Sequence, residues 1–215
     1  MRLPARSNYA VLSMVVLGGI GSGEAQAHPH VWINAETTVL HEHGTFTGLQ
    51  HRWTFDEMYS SMEVEGLDKN NDGKFDRAEL AELANFYVTG LKEYSYFTFS
   101  AKAGHKLALG EPKDIWLEHI DNVLSLNFTV PFAKPVLMDA KGFAFSVYDP
   151  SFFIALDIGK PDSMRLAEGT PQPCKVSVGK DKASVAALNK AFAAEFAATM
   201  AGGPVNAVSV TCGAS

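Results

Sequence analysis

Residues 31–40, VWINAETTVL, and residues 45–55, TFTGLQHRWTF, are rich in β-branched and aromatic side chains, and only His41-Glu42-His43-Gly44 separates them. Such residues suit the half-buried pleated surface of a strand, and a short polar link ending in glycine suits a hairpin turn. The folded part of the chain is therefore expected to begin as a β-hairpin. Downstream, Phe55, Met58, Tyr59 and Met62 recur at helical spacing within residues 55–67. Leu80, Leu83, Ala84, Tyr87, Val88 and Leu91 form the apolar face of a second helix. From Tyr94 the period returns to two, with Tyr94, Tyr96 and Thr98 alternating against Ser95, Phe97 and Phe99. Residues 106–109 read as the return strand after a turn at Gly104. Residues 114–119 and 123–130 read as another hairpin, turning at Asp121-Asn122. Residues 142–148, 175–178 and 205–210 complete the predicted strands. Residues 184–200 are alanine-rich, with Val185, Leu188, Phe192 and Phe196 on one face, and predict a C-terminal helix. The sum is an α+β fold: one domain of mainly antiparallel sheet, with a helix–loop–helix inserted at about 55–92.

Between the two inserted helices, residues 68–79 read DKNNDGKFDRAE. Asp68, Asn70 and Asp72 offer side-chain oxygens at positions 1, 3 and 5 of a twelve-residue loop, and Gly73 stands at position 6, where the chain must turn sharply. Lys74 would give its carbonyl, Asp76 a direct or water-mediated contact, and Glu79 both carboxylate oxygens. Calcium is a hard cation that takes roughly 6–8 oxygens, and a single chain can supply them only by wrapping around it in this way. The pattern is that of a calcium-binding EF-hand loop, expected to hold Ca²⁺.

The first 27 residues read as a cleavable secretory signal: basic Arg2 and Arg6, an apolar run over 10–20, and Ala25-Gln26-Ala27 as the cleavage site. That run is shorter than the roughly 20 residues that span a bilayer, and no transmembrane segment is expected in the mature chain. The expected location is the periplasm. A formal charge of −6 without a basic cluster argues against nucleic acid and favours cations as partners. Cys174 and Cys212 are the only cysteines, and an oxidising compartment favours joining them in a disulfide.

Cleavage after Ala27 would make His28-Pro29-His30 the new terminus. Its amine titrates near 8, so amine and His28 ring could chelate one ion, with the His30 ring pointing the same way if the segment is extended. Imidazole-rich sites suit Zn²⁺, Ni²⁺ and Cu²⁺. A flat site using backbone amides is disfavoured, because Pro29 has no N–H to lose. His119, between Glu118 and Asp121, is a candidate third ligand; His41, His43 and His105 read as exposed turn residues, and His51 as a hydrogen-bonded strand histidine. No Gly-x-Ser-x-Gly and no Gly-rich phosphate loop is present, so no enzyme activity is expected.

Four pieces together resemble one family: His28-Pro29-His30-Val31-Trp32-Ile33, Trp53-Thr54-Phe55-Asp56-Glu57, the acidic loop, and Tyr148-Asp149-Pro150-Ser151-Phe152-Phe153. The chain is similar over nearly all its mature length to the exported bacterial domain-of-unknown-function 1007 family. The resemblance implies a periplasmic component of an uncharacterised ABC-type transport system, associated with nickel, cobalt or zinc permeases. It nominates His28 and His30 as metal ligands, with Asp56 and Asp149 as partners. The motif aromatics Trp53, Phe55, Tyr148, Phe152 and Phe153 read as core. The leading expectation is thus a periplasmic accessory protein that binds a transition metal, Zn²⁺ or Ni²⁺, and serves a membrane metal permease, with calcium stiffening the helix pair. The alternative is a calcium-stabilised, non-enzymatic binding module for a protein or organic ligand, marked by an exposed aromatic patch or cleft remote from the N-terminus. A copper enzyme ranks third.

Overall fold

The computed structural model of the protein describes residues 30–139, 141–170, 173–179, 181–197 and 207–213. The expected leader, 1–27, and the candidate ligand His28 lie outside the described residues. Strands β1 (Val31–Glu42) and β2 (Thr45–Phe55) form the anticipated hairpin, with Ile33 opposite Phe55 and Val39 opposite Leu49. Alternation does the work expected of it: β1 buries Val31, Ile33, Ala35, Thr37 and Val39, and β2 buries Leu49, His51, Trp53 and Phe55. Helix α1 (Glu57–Glu63) follows, then the acidic segment, then α2 (Ala81–Leu91). Helix α1 is shorter than predicted: Val64 is its C-cap, and Gly66 just beyond takes the left-handed φ of +79°.

The period-two pattern from Tyr94 is misleading. Lys92–Phe97 is a tight 3₁₀-type turn, and strand β3 (Thr98–Lys102) starts only after it. Ser95, Tyr96 and Phe97 have φ of 53°, 54° and 46°, which a strand residue does not adopt. The return strand β4 (His105–Lys106) is a stub, and Leu109 makes a single bridge to Phe132. Strands β5 (Lys113–Ile120) and β6 (Val123–Leu137) pair around Asp121 and Asn122, both at positive φ as a primed turn requires. Strand β6 runs beyond its predicted end because β2 shifts register at Gly48; an added Cβ there would sit 2.7 Å from the Val130 carbonyl oxygen.

Strand β7 (Phe143–Val147) matches its prediction. Strands β8 (Ile154–Asp157) and β9 (Met164–Leu166) were not foreseen; both lie parallel to β1, Val31 opposite Ile154 and Thr37 opposite Met164. Strand β10 (Cys174–Gly179) precedes the C-terminal helix, which is two helices, α3 (Lys182–Ala191) and α4 (Ala193–Ala197), broken where Phe192 leaves helical dihedrals. Strand β11 (Ala207–Cys212) pairs with β10, and Cys174 and Cys212, directly opposite, form the expected disulfide. The fold class is α+β and mainly antiparallel, with parallel pairing at one edge.

The strands form two sheets, β5-β6-β2-β1-β8 with β9 also on β1, and β10-β11-β7-β3-β4. Their facing sides share a core that includes Ile33, Trp53, Leu126, Phe128, Phe143, Phe145 and Val147. The far side of the second sheet buries Phe99, Ala144 and Tyr148 against Leu188, Phe192 and Phe196 of α3, α4 and the break between them. The order is sheet, sheet, helices, with α1 and α2 attached to the first sheet through β6 and β5.

One polar group sits at the centre of this sandwich. His51 is fully buried; its Nδ1 lies 3.0 Å from the Thr37 hydroxyl and its Nε2 3.2 Å from the Thr98 hydroxyl. Thr98 donates its own hydrogen to the Tyr96 carbonyl at 2.8 Å, so its oxygen accepts from Nε2–H and Thr37 donates to Nδ1. The ring thus joins β1 and β2 to β3 as a neutral tautomer. Burial drives its pKa from 6.5 down to about 3. Between those values the unfolded chain takes up a proton that the folded chain refuses. Stability from this site is therefore complete above pH 6.5 and falls with acidification, by up to about 1.4 kcal/mol per pH unit. The loss of unfolding free energy between pH 7.5 and 4.5, measured by urea titration, should shrink by on the order of 2 kcal/mol in His51→Gln.

Candidate functional site

At the open end of the β1–β2 hairpin several elements converge around a cleft of about 560 Å³. Ile33, Trp53 and Phe55 come from the hairpin, and Tyr59 from α1. Phe86, Tyr87, Gly90 and Leu91 come from α2, and Tyr94 and Phe97 from the turn after it. Asp149, Ser151, Phe153 and Ile154 come from the segment entering β8. Helix α2 presents two stripes. Leu80, Ala84 and Val88, spaced by four, are buried in the sandwich, whereas Phe86 and Gly90 line the cleft and Phe86 is 73 % exposed. Phe55 stacks on Tyr59 at 5.1 Å between ring centroids and lies 5.5 Å from Tyr87, so the cleft wall is continuous with the core.

Among the described residues Asp149 is the one charged residue of that lining, and it is only 2 % exposed. Its carboxylate accepts from the backbone N–H of Ser151 at 2.8 Å and of Ile154 at 2.9 Å, and from the Ser151 hydroxyl at 2.7 and 2.8 Å. Two amides and one hydroxyl supply three hydrogens to a group with about four acceptor positions. Among the described residues no lysine, arginine or histidine nitrogen lies within ion-pair distance of it. The backbone around the cleft is strained as well: Ser95, Tyr96 and Phe97 on one side and Phe152, at φ 60°, on the other are non-glycine residues in left-handed conformation. Each such residue costs on the order of 1–3 kcal/mol and is retained where the surroundings enforce it, commonly at functional sites.

Residues 13–211 match the family described as "Protein of unknown function (DUF1007)". The chain belongs to the DUF1007 family. An uncharacterized protein of Haemophilus influenzae (strain ATCC 51907 / DSM 11121 / KW20 / Rd) is 27 % identical over 144 residues, covering 66 % of this chain and 68 % of that one. An uncharacterized 15.5 kDa protein in the trpE 3'region of Spirochaeta aurantia is 32 % identical over 105 residues, covering 47 % of this chain and 74 % of that one. No solved structure matches.

Two of the ligands nominated for this DUF1007 chain lie on segments that the fold pairs. The backbone N–H of His30 donates to the Phe153 carbonyl at 2.9 Å, and the two rings lie 4.8 Å apart, so His30 sits beside the segment that carries Asp149. Of the other three, His28 lies outside the described residues, and Asp56 and His119 go elsewhere. Asp56 caps α1, accepting from Tyr59 N at 2.9 Å, and accepts from Trp32 N at 3.2 Å with its second oxygen. His119, on β5, stands edge-on to Phe75 at 4.8 Å, and burial lowers its pKa. Among the described residues no three His, Cys, Asp or Glu side chains stand together as a metal-holding group.

The acidic segment 68–79 closes on itself. Asp68 accepts from Asp72 N at 3.2 Å and Gly73 N at 3.0 Å, and Gly73 takes a φ of +77°. Asn70 accepts from Asp72 N, and Asp72 from Lys74 N, both at 2.8 Å. Asp76 accepts from the N–H groups of Ala78 and Glu79, and Glu79 reaches back to those of Lys69 and Asp76. The segment is docked on β5 by Phe75 against His119 and by the Arg77 guanidinium 3.8 Å over the Trp116 ring. Their oxygens are of the kind a hard cation takes, but they are turned to backbone N–H groups of the segment, and Asp68, Asp72, Asp76 and Glu79 do not stand together as a metal-holding group.

The position of the cleft departs from the expectation: it lies beside the segment that pairs with His30, not remote from the N-terminus. Trp53, Phe55 and Tyr148 are core as expected, but Phe153 is 48 % exposed at the rim. The available signal was the second stripe, Phe86, Gly90 and Tyr94 spaced by four, which the core-facing stripe of α2 does not use. Replacing Asp56 by alanine should cost about 1–2 kcal/mol of unfolding free energy through the lost cap, while Zn²⁺ and Ni²⁺ affinity stays unchanged by calorimetric titration.

Proposed function

We propose that this DUF1007 protein is an exported, non-enzymatic binding module: calcium in segment 68–79 braces α2, and the cleft beside α2 receives an organic ligand. The observation that carries the reading is the concave aromatic surface of about 560 Å³ at the junction of the hairpin, α2 and the segment before β8. Helix α2 links the two parts, since its first turn follows Glu79 directly and its last turns line the cleft. Export is supported by the Cys174–Cys212 disulfide, and no helix among the described residues is long and apolar enough to cross a membrane.

Asp68, Asn70, Asp72, Asp76, Glu79 and the Lys74 carbonyl would hold the calcium ion, which supplies cross-linking charge and no chemistry. A Kd of about 10⁻⁴–10⁻³ M is expected for such an extracellular site. At a hundredfold excess over Kd, calcium should add about 2.7 kcal/mol to the unfolding free energy. Thermal melts across a CaCl₂ series check this: the wild-type midpoint rises and saturates, and Asp68→Asn and Glu79→Gln lose the rise. The cleft is tested with the neutral dye N-phenyl-1-naphthylamine. Its fluorescence should rise on binding, and Gly90→Leu, whose added atoms meet no neighbour within 4 Å at Cβ, should fill the cleft and remove the rise. An unaltered signal in Gly90→Leu would overturn the reading.

A second reading keeps the transition-metal theme implied by the family resemblance. It is favoured by the pairing of His30 with Phe153, which places a candidate imidazole at the rim of the same cleft. Here His28 and His30 bind Zn²⁺ or Ni²⁺ for a membrane permease. Titration of the protein beginning at residue 28 should then lose at least tenfold affinity in both His28→Ala and His30→Ala; equal affinities reject this reading.

A further inference from the structure

Resting on the cleft reading above, we propose that the cleft selects an organic cation, an alkyl or aryl ammonium group attached to an apolar body. Three observations converge. The first is charge: Asp149 is buried and lacks a cationic partner among the described residues. Buried carboxylates are ordinarily paired with a cation, because an isolated charge in a low-dielectric surrounding is costly. A cation delivered by a ligand restores that pairing, and the weak screening that makes the lone charge costly also makes the attraction strong.

The second observation is the wall. Tyr59, Tyr87, Tyr94, Phe97 and Phe153 surround the space, and aromatic faces carry negative quadrupole charge that attracts ammonium groups. Among the described residues no lysine or arginine lines the cleft, so its walls hold no permanent positive charge to attract an anion.

The third is the construction of the Asp149 segment. The three donors that Asp149 receives all come from residues 151 and 154, so the segment folds around the carboxylate. Phe152 is held at φ 60° in the same segment, while Phe153 reaches the rim. The acidic balance of the chain, −6 overall, favours the approach of the same ligands.

The experiment is calorimetric titration of the wild-type protein with hexylammonium, hexan-1-ol and hexanoate, three ligands of one length that differ in the charge of the head. The expected order is hexylammonium at least tenfold tighter than the alcohol, with hexanoate weakest. The ammonium preference should fall with added salt. In Asp149→Asn the ammonium and the alcohol should bind equally. Because that substitution also touches the segment's own hydrogen bonds, the wild-type order is the deciding measurement, and Gly90→Leu, which leaves Asp149 intact, should abolish all binding. If the alcohol and the carboxylate bind the wild type as tightly as the ammonium, the charge inference is wrong while the cleft reading survives. If none of the three binds and the naphthylamine dye also fails, both are wrong.

Discussion

The ladder between β1 and β2 is the constraint from which the functional end of this protein hangs. Its register sets Ile33 opposite Phe55, and at that open end the chain leaves in two directions. On one side Asp56 ties back to the ladder, its N–H donating to the Trp32 carbonyl at 3.0 Å and its carboxylate accepting from Trp32 N, and it starts α1. On the other side His30 meets Phe153 and Val31 lies opposite Ile154, which brings the Asp149 segment alongside. A slip of one residue would turn Trp53 and Phe55 outward and remove both supports together.

Among the buried polar groups, His51 and Asp149 play different parts. His51 spans the two sheets through Thr37 and Thr98, and its hydrogen bonds work only for the neutral ring. A hydrophobic residue there would fill the space without fixing one sheet over the other, whereas satisfied polar networks favour a single arrangement. Asp149 is different, because its hydrogen bonds are local and its charge is uncompensated among the described side chains. Of these two residues His51 thus serves the fold, and Asp149 stands at the cleft together with strained backbone.

Much of the architecture was legible in the chain. The hairpin 31–55 shows itself through β-branched alternation on both sides of a polar, glycine-ended link. The turn at Asp121-Asn122 shows itself because those residue types tolerate positive φ. Errors cluster where a tertiary contact overrode a local pattern. Tyr94 to Phe97 alternates like a strand, yet it turns sharply to place Tyr94 and Phe97 on the cleft. Strands β8 and β9 are short and carry little signal of their own; they exist because the exposed edge of β1 pairs with them. Of the candidate site, the turn at Gly73 in the acidic segment could be read by offset, while the roles of Asp56 and Asp149 could not be told apart from spacing.

By itself, the sequence determined the properties that depend on neighbours a few residues away: which stretches extend, where the acidic loop turns, and which two cysteines could join. Spacing and dihedral preference are short-range, so they are written locally. Only the tertiary structure decided that a cleft exists, that Phe153 stands at its rim, and that Asp149 lies in its lining without a cationic partner among the described residues. A concave surface is made by segments distant in sequence, here the hairpin, α2 and the residues before β8. Burial of a charge is a property of everything packed around it, and no local pattern encodes that.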